Sequence, residues 1–137
     1  MLGAIQPAPA VAAVAGDYDN DGRADLIVLR PGGLSLLRRD EGAFSDVTAA
    51  SDLTPVESPR SAAWLDADHD GDLDLFVAGG TDASPVTRLF RNNGNGRFSD
   101  VTKDAGLIGR APVHAVVPTD FDNRRDIDVL VLNANGQ

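Results

Sequence analysis

The pattern Asp-x-Asp-x-Asp-Gly-x-x-Asp occurs twice in this chain, 49 residues apart, and nearly recurs 54 residues further on. The first copy runs from Asp17 through Asp19, Asp21, Gly22 and Arg23 to Asp25. The second runs from Asp66 through Asp68, Asp70, Gly71 and Asp72 to Asp74. The third starts at Asp120 and keeps Asp122, Asp126 and Asp128, but has Arg124 and Arg125 where the others have Asp and Gly. A second string follows the first two loops in the same order: Gly-Ala-Phe-Ser-Asp-Val-Thr at 42–48 and Gly-Arg-Phe-Ser-Asp-Val-Thr at 96–102. Two strings recurring in one order mark an internal repeat, and a repeat constrains the fold more than any single element.

Each unit reads as short strands. Apolar residues 11–15 precede the first acidic loop, and 26–29 follow it. Pro31-Gly32-Gly33 then turns the chain into residues 34–37, and 44–48 alternate apolar and polar as a half-exposed outer strand does. The second unit repeats this at 61–65, 73–78, 86–90 and 98–102, with turns expected at Gly79-Gly80 and over residues 92–96. Residues 51–60 carry two prolines and read as a connecting loop, and no segment reads as a helix. Four short strands per unit of ~50 residues predict an all-β chain, a partial β-propeller of about two and a half four-stranded antiparallel blades. The chain is expected to be one such domain over residues 1–137. Its repeats fall at about 10–53 and 59–107, with a partial third at about 112–133.

The acidic residues are bunched. Thirteen of the 21 fall in the windows 17–26, 66–75 and 120–129. With 12 basic residues the formal charge is −9, which argues against nucleic acid, whose phosphates need clustered Lys and Arg. The chain has no cysteine, so disulfides and thiolate metal sites are excluded. No apolar run approaches the ~20 residues that span a bilayer.

Acids at positions 1, 3 and 5 of a tight loop can turn toward one centre. A backbone carbonyl at position 7 adds an oxygen, and glycine at 6 makes the sharp turn. That is an all-oxygen donor set suited to Ca²⁺. The predicted ligands are Asp17, Asp19, Asp21, the carbonyl of Arg23 and Asp25 in loop one. In loop two they are Asp66, Asp68, Asp70, the carbonyl of Asp72 and Asp74. An EF-hand would need Glu at position 12, where Val28 and Val77 stand in apolar strands. The closing acid is instead at position 9, so the ion would staple a strand–loop–strand hairpin. Taken singly, such a loop is also an ordinary acidic turn, but four converging carboxylates without a cation repel one another. The third loop is expected to be metal-free, with Arg124 across Asp120, Asp122 or Asp128 in place of the ion.

These residues resemble the FG-GAP/VCBS repeats of integrin α-subunit propellers and of many bacterial surface and secreted proteins. The string from Arg88 to Thr102 looks like the subset that accompanies ASPIC/UnbV domains. The resemblance implies a propeller of about seven blades with structural calcium between the first two strands of a blade. It also implies adhesion or binding of carbohydrate or protein. Calcium dependence points to an extracellular or periplasmic home, although residues 1–7 lack the basic start of a signal peptide. Missing blades, from a larger propeller or from copies of the chain, are the expected partners, because the outer faces of the first and last blades would otherwise stay open. An alternative is a fragment of a propeller-type polysaccharide lyase or other carbohydrate-active enzyme; in such a lyase calcium polarises a uronate carboxylate. That chemistry asks for a cleft-facing base. Lys103 is the single lysine, and no nucleophile, phosphate-loop or zinc-protease motif is present, which favours non-catalytic binding. Trp64, aligned with Ala15 and Pro118, is expected in the core rather than on a sugar platform. His69 and His114 are expected at the surface.

Overall fold

The computed structural model describes residues 9–107, 113–120 and 127–133. The first blade is a meander of β1 (Ala12–Gly16), β2 (Asp25–Arg30), β3 (Gly33–Arg39) and β4 (Phe44–Asp46). The second is β5 (Pro59–Leu65), β6 (Asp74–Thr81), β7 (Ser84–Asn92) and β8 (Phe98–Asp100). A third sheet pairs β9 (Val113–Thr119) with β10 (Asp128–Asn133). Every pairing is antiparallel. The chain is all-β among the described residues, apart from a single 3₁₀ turn at Thr48–Ala50.

Register decides which side chains face which blade, because directly opposed residues share a face. Val14 lies opposite Ile27, and Ile27 opposite Leu36. These residues form the face that packs on blade two. Trp64 lies opposite Leu75, and Leu75 opposite Phe90, and this row meets them from the other side. The alternate residues of blade two, Ala63, Leu65, Phe76 and Ala78, pack with Val113 and Val116 of β9. Blade two is thus buried on both faces, which explains why β6 is apolar almost throughout.

Trp64 sits in the core as the sequence predicts, at 9% exposure. It stacks on Tyr18 with 6.2 Å between centroids and leans on Phe98 at 6.3 Å. Gly16 makes room for it, since a Cβ there would come within 2.5 Å of the indole. His69 and His114 are exposed.

Three details depart from expectation. Gly79-Gly80 is not a turn: β6 runs on to Thr81 and the chain reverses through Asp82 and Ala83. Gly79 instead lets the β5 lead-in pass close by, and Gly80 N–H donates to the Ser58 carbonyl at 3.1 Å. A Cβ on Gly79 would sit 2.4 Å from that oxygen. The outer strands stop after three residues, because Asp46 and Asp100 accept from the backbone N–H of Thr48 and Thr102, each at 3.0 Å. The threonine hydroxyl oxygens then accept from Leu36 and Leu89 N–H, at 2.8 and 3.0 Å. The repeated Phe-Ser-Asp-Val-Thr string is therefore a strand-closing turn. Finally, the open apolar face lies mainly on the third sheet, where Val117, Leu130 and Leu132 are about half exposed. On the outer side of blade one Val28 and Leu37 are buried.

Candidate metal centres

Both complete loops are built by one set of hydrogen bonds. The first acid folds back on its own loop. Asp17 accepts from Asp21 and Gly22 N–H at 3.0 and 2.8 Å, and Asp66 from Asp70 and Gly71 N–H, each at 3.1 Å. The acid at position 5 accepts from the residue at 7: Asp21 from Arg23 N–H and Asp70 from Asp72 N–H, both at 2.9 Å. Glycine at 6 is needed for its backbone, with φ of 83° at Gly22 and 92° at Gly71. Position 4 is left-handed as well, at Asn20 (φ 57°) and His69 (φ 63°).

The ninth residue opens β2 or β6 and is fully buried. Asp25 accepts from Tyr18 N–H at 3.3 Å and Arg39 N–H at 2.7 Å. Asp74 accepts from Ala67 N–H at 2.9 Å and Asn92 N–H at 2.8 Å. Each carboxylate ties its loop to the end of the third strand. Burial pushes both carboxyls above the ordinary aspartate range, against the pull of those backbone N–H groups. Asp19 is also raised, by burial first and then by Asp21, with Asp17 adding to it.

Loop one brings oxygens of Asp17, Asp19 and Asp21 within 4.8 Å of one another. Loop two does so with Asp66, Asp68 and Asp74. The predicted ligands Asp25 and Asp70 fall outside these triads, and each is held by the backbone hydrogen bonds above. Arg23 also pairs its guanidinium with Asp21 and donates through Nε to the Arg39 carbonyl at 3.0 Å. Asp72 instead receives the Asn20 amide at 2.7 Å, which joins the two loops directly. Two Asp clusters can therefore each hold a metal ion. Their donors are all carboxylate oxygens, with no sulfur or imidazole, and this fits a hard cation better than zinc.

In the third loop Asp122, Arg124, Arg125 and Asp126 lie outside the described residues. Asp120 follows β9, and Asp128 opens β10 opposite Thr119.

The profile of the FG-GAP-like repeat matches residues 17–77 and again 66–131. The chain belongs to the FG-GAP-like repeat family. Each match begins on the first acid of a complete loop and runs past the acidic loop of the following repeat, so each spans two loops of this FG-GAP chain. A comparison with curated proteins found no match.

One residue of the site was not singled out from sequence. Asn92, 2% exposed, donates its amide to the Tyr18 carbonyl at 2.8 Å and to the Leu73 carbonyl at 3.3 Å. Its side chain thus joins both loops, and its backbone N–H holds Asp74. Its place in an Asn/Gly-rich stretch signals only a turn, and its partner Tyr18 is 74 residues away.

Proposed function

We propose that this chain is a calcium-stabilised propeller module of a larger secreted or surface protein, serving non-catalytic binding or adhesion. The observation that carries the reading is the duplicated carboxylate cluster, built twice by the same hydrogen bonds in equivalent blades. A calcium ion in loop one would be held by Asp17, Asp19, Asp21, Asp25 and the Arg23 carbonyl. In loop two it would be held by Asp66, Asp68, Asp70, Asp74 and the Asp72 carbonyl. The ion supplies charge compensation and crosslinks a loop to its strands, a structural task rather than a chemical step. Two divalent ions would neutralise four of the nine net negative charges.

The third loop is metal-free in this reading, its lost acid and lost glycine replaced by Arg124 and Arg125. The remaining blades of a ring, which has about four to eight, are the first partners. A glycan or protein is the ligand of the assembled surface. Extracellular or periplasmic calcium at millimolar levels would keep sites of this type filled.

Calorimetric titration of the metal-stripped chain with calcium tests this, with about two equivalents expected. At a hundredfold excess over Kd each site adds about 2.7 kcal/mol to folding, read as a rise in melting temperature. No heat and no melting shift at millimolar calcium would sink the proposal.

A further inference from the structure

The turn between β7 and β8 carries chemistry that neither the fold nor the metal loops use. Its sequence, Asn92-Asn93-Gly94-Asn95-Gly96-Arg97, places two asparagines directly before glycines. An Asn–Gly junction can cyclise, because glycine has no side chain to hinder attack by its backbone nitrogen on the preceding side-chain carbonyl. Local hydrogen bonds decide which junctions do so. Four Asx–Gly junctions lie among the described residues, at 21–22, 70–71, 93–94 and 95–96. In the acidic loops the glycine N–H is occupied: Gly22 donates to Asp17 at 2.8 Å and Gly71 to Asp66 at 3.1 Å. The third junction is closed as well. Gly94 N–H donates to Asn92 Oδ1 at 3.1 Å, and the Ser99 hydroxyl holds both ends of the Asn93 amide, at 3.0 and 3.2 Å.

The fourth junction is open. Among the described residues, neither the Gly96 N–H nor the Asn95 Nδ2 has a hydrogen-bond partner, and Asn95 is exposed. Asn95 Oδ1 accepts from Arg97 N–H at 3.1 Å. That donor polarises the side-chain carbonyl and stabilises the oxyanion that forms on attack. We propose that Asn95 is a modification site, losing its amide spontaneously because the folded turn leaves this junction free. The Gly96 nitrogen gives its proton to solvent and bonds to Cγ of Asn95. The Cγ–Nδ2 bond then breaks, and Nδ2 leaves as ammonia with a proton taken from water. A water molecule opens the resulting cyclic imide at either carbonyl, giving aspartate or isoaspartate. Both products add one negative charge. The isoaspartyl form also lengthens the backbone of a turn that Asn93 N–H closes on the Arg97 carbonyl at 2.9 Å. Phe98 comes next, buried against Tyr18 and Trp64, so the lengthened turn pulls on the aromatic cluster between the blades.

The test is timed incubation of the full 137-residue chain at mildly alkaline pH, followed by cleavage after arginine, which releases residues 92–97 as one peptide. Fragmentation mass spectrometry separates loss at Asn95 from loss at Asn93, and enzymatic methylation of isoaspartate counts the isomer. In the folded chain Asn95 should react at least about tenfold faster than Asn93. In urea, where the hydrogen bonds that guard Asn93 are gone, the two rates should converge. Asn95→Gln should abolish the isoaspartate signal of the folded chain. Equal rates in the folded chain, a faster Asn93, or an undiminished preference for Asn95 in urea would each overturn the proposal. So would an isoaspartate signal that survives Asn95→Gln at full strength.

Discussion

The two interfaces of blade two follow one register but are filled differently. Toward blade one, Tyr18, Trp64, Phe90 and Phe98 close a continuous core, with Asn92 bridging loop to loop. Toward the third sheet the matching places hold Ala67 for Tyr18 and Pro118 for Trp64, and a cavity opens between the walls. Blade two thus meets a cemented joint on one side and a looser one, bordered by a cavity, on the other. Blade packing here depends on side-chain volume at a few register positions and on strand number, since the third sheet contributes only β9 and β10 among the described residues.

The sharpest way to break this comparison is to empty the cemented joint. Phe90→Ala should cost about 3–5 kcal/mol, the range for truncating a fully buried phenylalanine. Val131→Ala at the looser joint should cost about 1 kcal/mol, because that site is only half buried and already borders a void. Urea unfolding followed by the fluorescence of Trp64, the only tryptophan, reads both. Equal losses would mean that the two joints bear load equally and that the aromatic cluster has no special weight.

Asn92 comes next. Asn92→Ala removes the amide that satisfies the carbonyls of Tyr18 and Leu73 inside the joint. Leaving buried carbonyls without a donor should cost about 2–3 kcal/mol. The backbone bond from residue 92 to Asp74 survives the change, so the loss reports the bridge rather than loop two. Calorimetry should then show calcium sites still present but a lower melting temperature. Loss of metal binding would place Asn92 within the sites themselves.

The strands were legible because apolar runs of strand length alternate with Gly, Pro and Asp punctuation, and the repeat fixes their number. The acidic loops were legible because ligand spacing is local. What sequence hid lies in contacts between distant residues. Gly79-Gly80 carries the mark of a turn, yet Gly79 answers to Ser58 and Pro59 passing overhead and Gly80, at φ 80°, to Ser84 and Val86 on the facing strand. The Phe-Ser-Asp-Val-Thr string reads as a strand by alternation, but Asp46 and Thr48 use their side chains to end it. Asn20 and Asp72 read as a spacer and a carbonyl donor. Their mutual hydrogen bond spans 52 residues and no periodicity announces it.

That cross-loop bond gives a smaller, separable effect. Asn20 sits at φ 57°, where asparagine is tolerated and alanine is strained. Asn20→Ala should therefore cost about 1–2 kcal/mol, the strain and the lost bond together. Asn20→Gly removes the bond but relieves the backbone, and should cost under about 1 kcal/mol. If the glycine variant also binds the two proposed calcium ions with less mutual influence than the parent, the bond carries coupling between the loops. Unchanged titration curves would confine it to local stability.

The smallest effect is a pH dependence whose sign depends on the metal. In the metal-free chain Asp19, Asp25 and Asp74 have carboxyls raised above their unfolded value, burial being the first cause for each. Between the unfolded and folded values the native state holds more protons than the unfolded chain, so stability falls as pH rises through that window. Lowering the pH from neutrality should thus raise the melting temperature of metal-stripped protein, protons replacing part of the missing cation. Asp40 works the other way, because the Ser45 hydroxyl holds its carboxyl below the ordinary range; its contribution is lost on acidification. Asp40 is solvent-facing while Asp25 and Asp74 are sealed, so the buried pair should dominate. With calcium bound the same carboxylates must stay ionised, and acid should lower the melting temperature by displacing the ion. The two melting curves should therefore converge as pH falls. Parallel curves would show that these carboxylates do not hold the ion, and would return the clusters to the status of acidic turns.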